Sequence, residues 1–214
     1  MIIYDNKRYF KYSELSFPEK QIYYEYIYQF VKRLAWEYPD FIQWYKKLFL
    51  TNRELCSDRE IIICESDYVL AGLAILKSNQ FEKKICTLRV DKKFQCQGIG
   101  TKLVGLSLEW LEDDYPIITM HKTKQKEFST LLRYYGFKLE QTQNHYYNIF
   151  STELVYNGFL PEKSLFFNRI EILDIRKLYD RFLKAGQNNF NDFAESCIFT
   201  WYLRENNRIR MMKT

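Results

Sequence analysis

The sequence predicts a mixed α/β domain of the α+β type, and three stretches predict it. Residues 59–65 (REIIICE) and 68–77 (YVLAGLAILK) are short β-branched runs joined at Ser66-Asp67, the pattern of a β-hairpin. Residues 85–90 form a further strand that enters a polar turn, passes two glycines and opens an amphipathic helix. Residues 116–137 then repeat the strand-to-helix alternation and lead into more strand-like sequence. A chain of 214 residues accommodates one such domain with an appendage.

The elements follow in order. Residues 1–13 read as a short strand or strand pair, with Ile2, Ile3, Tyr9 and Phe10 as its apolar members. Ser16-Phe17-Pro18-Glu19 is a helix start: a serine cap, proline in the first turn, and glutamate at the capping-box position. Tyr23, Ile27, Phe30, Val31 and Leu34 then recur at helical spacing and predict one apolar stripe. Tyr38-Pro39-Asp40 breaks that helix, and residues 41–50 supply a second, shorter one. Gly72 within the second hairpin strand predicts a bulge or a close backbone approach. Leu103, Leu106, Leu108 and Leu111 mark the helix after the glycines, which stops near Asp113-Asp114. Pro116 opens the strand 117–121. Phe128, Leu131, Leu132 and Tyr135 mark the next helix, which ends at Gly136, a suitable residue just past a helix C-terminus. Residues 137–156 alternate polar and apolar, which predicts two strands with a turn near Asn148. After Asn157-Gly158 the character changes: residues 159–214 read as two amphipathic helices and a basic end carrying Arg204, Arg208, Arg210 and Lys213. The expected organisation is a domain over 1–158 and a helical extension over 159–214.

Composition narrows the function. The hydrophobic fraction of 47% is ample for a core, and only 7 glycines and 4 prolines indicate a loop-poor folded chain. A net charge of +5 suits anionic small molecules and falls short of a dedicated nucleic-acid binder. The five cysteines are scattered without Cys-x-x-Cys spacing and accompany only two histidines, so no metal site is expected. Charged residues interrupt the N-terminal stretch, and no apolar run is long enough to cross a bilayer, which leads to the expectation of a cytoplasmic protein with reduced thiols.

The chemistry concentrates in Val90-Asp91-Lys92-Lys93-Phe94-Gln95-Cys96-Gln97-Gly98-Ile99-Gly100-Thr101-Lys102-Leu103. A turn of this kind aims several backbone N–H groups and the positive end of a helix dipole at one point, which makes an anion site. At roughly 1.5–3 kcal/mol per charge-assisted hydrogen bond, four or five donors hold a pyrophosphate without any arginine. The dinucleotide fingerprint is excluded because its third glycine position is Leu103, and no P-loop run exists. A plain strand-to-helix turn, with Gly98 and Gly100 only easing packing, remains the competing reading of the motif by itself.

The spacing Gln-x-x-Gly-x-Gly after a strand resembles the acetyl-CoA signature of the GCN5-related N-acetyltransferase (GNAT) family. Leu131-Leu132-Arg133-Tyr134-Tyr135-Gly136-Phe137 resembles the Phe-Tyr-x-x-x-Gly-Phe helix end of that family at an ungapped distance. The likeness runs from about residue 10 to 158. It implies the GNAT fold: a central mixed, mostly antiparallel, splayed sheet flanked by helices. It further implies acetyl-CoA as co-substrate, with pantetheine bonded to the backbone around Leu88 and Val90. The pyrophosphate would lie on the N–H groups of Gln95, Cys96, Gln97, Gly98, Ile99, Gly100 and Thr101. Gln125 falls where the family usually has a cofactor-contacting Asn, and reads equally as a solvated helix-start residue.

Acyl transfer to an amine needs a deprotonated nucleophile, and freeing the lone pair of an alkylammonium of pKa ~10.4 at neutral pH costs about 4–5 kcal/mol. A base is therefore expected, with the backbone N–H near Leu88 as oxyanion donor. Here the chain departs from the family. The frequent acid tyrosine aligns with Leu132, which leaves Tyr134 as the nearest substitute, while Tyr135 shares the apolar face of Leu131 and Phe128. A base position of histone-type relatives aligns with Lys84. His121 is the base candidate by its intrinsic pKa, set against a reading as an ordinary strand-end histidine; Glu65 is a further one. Cys96 stands where relatives usually have Gly and is expected to lend only its backbone N–H. The acceptor region implied by the family offers Tyr24, Tyr28, Trp36, Tyr38, Trp44, Tyr146 and Tyr147.

The expected activity is acetyl-CoA-dependent N-acetyl transfer to an amine acceptor by direct attack in a ternary complex. Two alternatives stay open: a catalytically impaired acyl-CoA sensor of the same fold, and an acetyltransferase acting on a macromolecule such as tRNA or protein. A homodimer through residues 159–214 stays open too.

Overall fold

The structure, a computed structural model, describes residues 2–4, 6–38, 40–144, 146–147 and 151–160. The chain starts with a hairpin of β1 (Ile2–Tyr4) and β2 (Lys7–Lys11), so the first 13 residues form the strand pair the sequence suggests. Two helices follow, α1 (Phe17–Val31) and α2 (Phe41–Lys47). The Glu19 carboxylate accepts from the Ser16 N–H at 2.7 Å and from its hydroxyl at 2.6 Å, which fixes the start of α1 where the capping pattern predicts it. The buried stripe is Tyr24, Ile27 and Val31 with Lys20, rotated slightly from the predicted one; Lys20 is buried because its ammonium pairs with Glu54 at 2.7 Å.

The remaining elements are β3 (Arg59–Ser66), β4 (Val69–Ser78), β5 (Lys83–Val90), α3 (Ile99–Leu111), β6 (Ile117–His121), α4 (Gln125–Tyr134), β7 (Leu139–Asn144) and β8 (Thr152–Tyr156). Among the described residues the strands form a single sheet in the order β1-β2-β3-β4-β5-β6-β8-β7. Every neighbouring pair is antiparallel except β5–β6, so the sheet is mixed and mostly antiparallel as expected. Helix α4 ends as the sequence indicates. Gly136, at φ 69°, gives its N–H to Arg133 O at 3.1 Å, and the Phe137 N–H reaches Leu132 O at 2.9 Å.

Helices cover both faces of the sheet. On one side Ile62, Leu76, Ile85, Ile118, Met120 and Leu154 pack with Ile99, Leu103 and Val104 of α3 and Leu132 of α4. On the other, Ile61, Ile63, Leu73 and Ile75 pack with Tyr24, Ile27, Phe41 and Tyr45. Burial on both faces explains why Ile61–Ile62–Ile63–Cys64 is continuously apolar instead of alternating.

The sheet divides in its middle. β5 pairs with β4 through Val90 but with β6 only at Lys84↔Ile117 and Ile85↔Ile118. The β4–β5 register slips between Ile75 and Leu76, leaving Cys86 as the extra residue of β5. A bulge bends its strand and sharpens the local twist, and this one falls directly after the last β5–β6 pair. Beyond it the two strands diverge. Gly72 shows both effects predicted for it. A register shift lies beside it, and a Cβ there would come within 2.9 Å of the Arg89 carbonyl oxygen.

The predicted turn at Asn148 and, apart from Phe159 and Leu160, the extension over 159–214 lie outside the described residues. No helix among the described residues is long and apolar enough to cross a membrane.

Candidate active site

The glycine turn is built from capping and left-handed backbone. Asp91 accepts the Lys93 N–H at 2.9 Å and starts a short 3-10 turn, Lys92–Phe94. Cys96 (φ 61°) and Gly98 (φ 77°) then take left-handed conformations, and α3 begins at Ile99. Cys96 thus holds its Cβ in a conformation that favours glycine. The first bond of α3 runs from the Lys102 N–H to Gly98 O at 3.0 Å. The backbone N–H groups from Gly98 through Thr101 have no acceptor among the described residues. A Cβ at Gly100 would meet only Val90 and Leu131 side chains, at 3.9 and 4.0 Å, so packing does not demand glycine there. The reading of the motif as a packing device therefore fails at Gly100. The free N–H groups and the open glycine face fit a diphosphate.

The strand before the turn is oriented to match. The Asp91 N–H bonds Ala71 O at 2.9 Å, and the Arg89 carbonyl faces Gly72, so these backbone groups point toward β4. Strand alternation turns the N–H and C=O of Leu88 and Val90 the other way, into the opening toward β6. The Val90 carbonyl accordingly meets Gln95 Nε2 at 3.3 Å. Gln95 Nε2 also lies 3.4 Å from Glu127 Oε1, which ties the turn to α4 and places exposed Gln125, the first residue of α4, at the same end of the opening.

On the α1–α2 face lies a carboxylate that sequence reasoning missed. Glu153 of β8 is fully buried; Tyr38 donates its hydroxyl to Oε1 at 3.2 Å, and Oε2 has no hydrogen-bond partner among the described residues. Burial pushes the Glu153 carboxyl up to about 7, with Tyr38, Lys84 and Thr119 offsetting part of the effect. The Tyr38 and Tyr147 rings meet edge to face at 4.8 Å, as do Tyr146 and Tyr147. Burial first, and the Glu153 charge next, hold both the Tyr38 and Tyr147 hydroxyls well above their ordinary pKa. Of the aromatic residues expected around the acceptor, Tyr38, Tyr146 and Tyr147 thus gather near Glu153. Tyr24 and Tyr28 pack on Tyr45, Trp44 packs on Phe41, and Trp36 is 82% exposed.

The other candidates are spread out. His121 is the strand partner of Glu153 and is half-buried, with Nδ1 2.8 Å from the Thr123 hydroxyl. Tyr134 sits on the last turn of α4, 73% exposed, its ring against that of Tyr135. Tyr135 donates its hydroxyl to Thr101 O at 2.7 Å, and Leu132 is buried in the core. Glu65 is closed off by Arg8 at 3.0 Å and by the Tyr23 hydroxyl.

The sheet splits between β5 and β6, and the opening leads to the glycine-rich start of α3. A family model described as the acetyltransferase (GNAT) family matches residues 23–134, more than half of the chain. The chain belongs to the GNAT acetyltransferase family. Among solved structures it is similar to a putative GNAT acetyltransferase from Desulfovibrio desulfuricans, with 11% identity and a TM-score of 0.51, covering 70% of this chain and 96% of that one. A GNAT family acetyltransferase from Elizabethkingia anophelis with acetyl-CoA bound is 17% identical, with a TM-score of 0.48 and coverage of 72% and 97%. Nourseothricin acetyltransferase is 16% identical with a TM-score of 0.43; the match covers 47% of this chain and spans only 64% of that protein. No curated protein sequence matches the chain.

Proposed function

We propose that this protein is an acetyl-CoA-dependent N-acetyltransferase that transfers the acetyl group to an amine acceptor by direct attack in a ternary complex. The observation that carries the reading is the β5–β6 opening, into which the backbone of Leu88 and Val90 faces and which leads to the glycine turn and its unbonded N–H groups from Gly98 to Thr101. In this reading Leu88 and Val90 bond the pantetheine arm as an added strand would. Gln95, Cys96, Gln97, Gly98, Ile99, Gly100 and Thr101 hold the diphosphate, and Gln125 contacts the cofactor from α4.

Glu153 serves as general base, with His121 beside it as the alternative site for the proton. A carboxyl near 7 is matched to proton transfer at neutral pH, where general bases contribute about 10²–10⁴ in rate. The acceptor amine gives its proton to Glu153, directly or through one water. Its lone pair attacks the thioester carbon while the Leu88 N–H stabilises the developing oxyanion. The C–S bond then breaks, the nitrogen releases its surplus proton to solvent to become the amide, and the departing thiolate takes up a proton, for which Tyr134, reprotonated from solvent, is the proposed donor. The buried Glu153 favours an enzyme over a sensor that has lost catalysis, since a buried carboxylate with one oxygen left without a hydrogen bond among the described residues is costly to keep without a use.

The test is calorimetric titration of acetyl-CoA and CoA into wild type and Gly100→Glu. The variant adds a side chain where only ordinary van der Waals contact awaits its Cβ. Micromolar binding by wild type that is lost in a folded variant supports the reading. No binding by folded wild type overturns it.

A further inference from the structure

Lys84 is a charged residue that the reaction above does not use. It stands in the first of the two β5–β6 pairs, next to the point where the strands part. Its neighbour Ile85 packs on the α3 side, so strand alternation directs Lys84 to the opposite face. The same alternation places Thr119 and His121, between and beyond core residues Ile118 and Met120, and Glu153, next to core residue Leu154, on that face. Surrounding cations are already engaged: Lys77 with Glu82, Arg59 with Asp58, and Lys83 with the Glu112 carbonyl. Lys84 has no ion pair or hydrogen bond among the described residues, and its charge acts on Glu153. The face therefore presents a half-buried ammonium and a buried carboxylate whose charges act on each other without closing a salt bridge among the described residues, beside the walls of Tyr38 and Tyr147.

Two opposite charges that share a face without closing an ion pair suit a ligand that carries both signs. We infer that the acceptor is an amine bearing an anionic group, a carboxylate or phosphate, which Lys84 holds while Glu153 faces the amine. Lys84 is thus a specificity-determining residue of the acceptor site. This inference rests on the transferase reading and names its substrate class. Nearby ionisable groups facing Glu153 are Tyr38, Tyr146, Tyr147, Glu37, Lys84 and His121, so a mere tuning of the base by Lys84 is a distinct alternative with its own signature.

The experiment uses the full chain with acetyl-CoA and measures thiol release against matched probes. These are glycine, β-alanine, γ-aminobutyrate and L-phenylalanine, each paired with its carboxamide, and phosphoethanolamine paired with ethanolamine. Wild type is expected to favour the anionic member of at least one pair tenfold or more in kcat/KM. In Lys84→Met that ratio is expected to collapse toward one, mainly through KM. If Lys84 only tunes the base, the substitution shifts the pH–rate profile equally for both members of a pair and leaves the ratio intact, which overturns the inference. Turnover of the uncharged members without preference overturns it while leaving the transferase reading standing. So does acetyl-CoA binding with no thiol release from any probe, which removes the proposed substrate class but keeps the cofactor site. Circular dichroism and acetyl-CoA titration of Lys84→Met confirm that the variant is folded and loaded.

Discussion

Replacing Glu153 with glutamine is expected to stabilise the protein at alkaline pH while disabling it. Burial raises the folded carboxyl from an ordinary 4.5 to about 7, because ionisation there forfeits hydration that the Tyr38 and Thr119 hydroxyls and the Lys84 charge replace only in part. A raised acid favours folding when protonated. Its contribution is therefore present below 4.5, is lost as pH rises between 4.5 and about 7, and changes no further above that. The loss amounts to about 3 kcal/mol at 1.36 kcal/mol per pH unit. Glu153→Gln escapes it. The difference in stability between variant and wild type should grow by up to about 3 kcal/mol from pH 4.5 to 8, roughly 6–12 °C in Tm for a domain of this size. Groups that titrate alike in both proteins cancel in that difference. Thermal unfolding at pH 4.5, 6, 7 and 8 reads the stability arm. The rate arm is a pH profile in which wild type loses kcat/KM below about 7, whereas the variant is slower by about 10²–10⁴ and lacks that limb. A stability difference that does not change with pH would refute the burial argument, and an acid limb surviving in the variant would assign the base elsewhere, with His121 next in line.

Two backbone predictions accompany this one. Cys96→Gly is expected to stabilise the protein by about 1 kcal/mol, since Cys96 sits at φ 61° and glycine carries no penalty there; urea denaturation measures it, and acetyl-CoA affinity should hold because only the backbone N–H is used. Gly72→Ala is expected to destabilise by about 1–3 kcal/mol, because the added Cβ would lie 2.9 Å from the Arg89 carbonyl oxygen and 3.2 Å from Ile99 and Leu103. A neutral result in urea would mean that α3 and β5 yield at that contact more readily than a packed core does.

What the chain determined by itself is everything that depends on neighbours in sequence. The Ser16–Glu19 start of α1, the Gly136 end of α4, the 59–77 hairpin and the glycine turn each rest on hydrogen bonds or φ values spanning a few residues, so their signals stand in consecutive letters. The bulge near Gly72 was legible for the same reason. Glu153 was not, because it sits among the polar residues of β7 and β8 and reads as a surface charge. Its hydrogen-bond partner Tyr38 is 115 positions away in the chain. Lys84 read only as an unsuitable base until alternation against Ile85 placed it on the face of Glu153. The rotation of the α1 stripe has a like origin, since Lys20 is buried through an ion pair with Glu54 that no local pattern announces. Local geometry is set by the backbone's short-range choices, whereas burial and charge pairing are properties of distant segments brought together. Only the folded sheet, divided at Cys86, could decide which polar residues became chemistry.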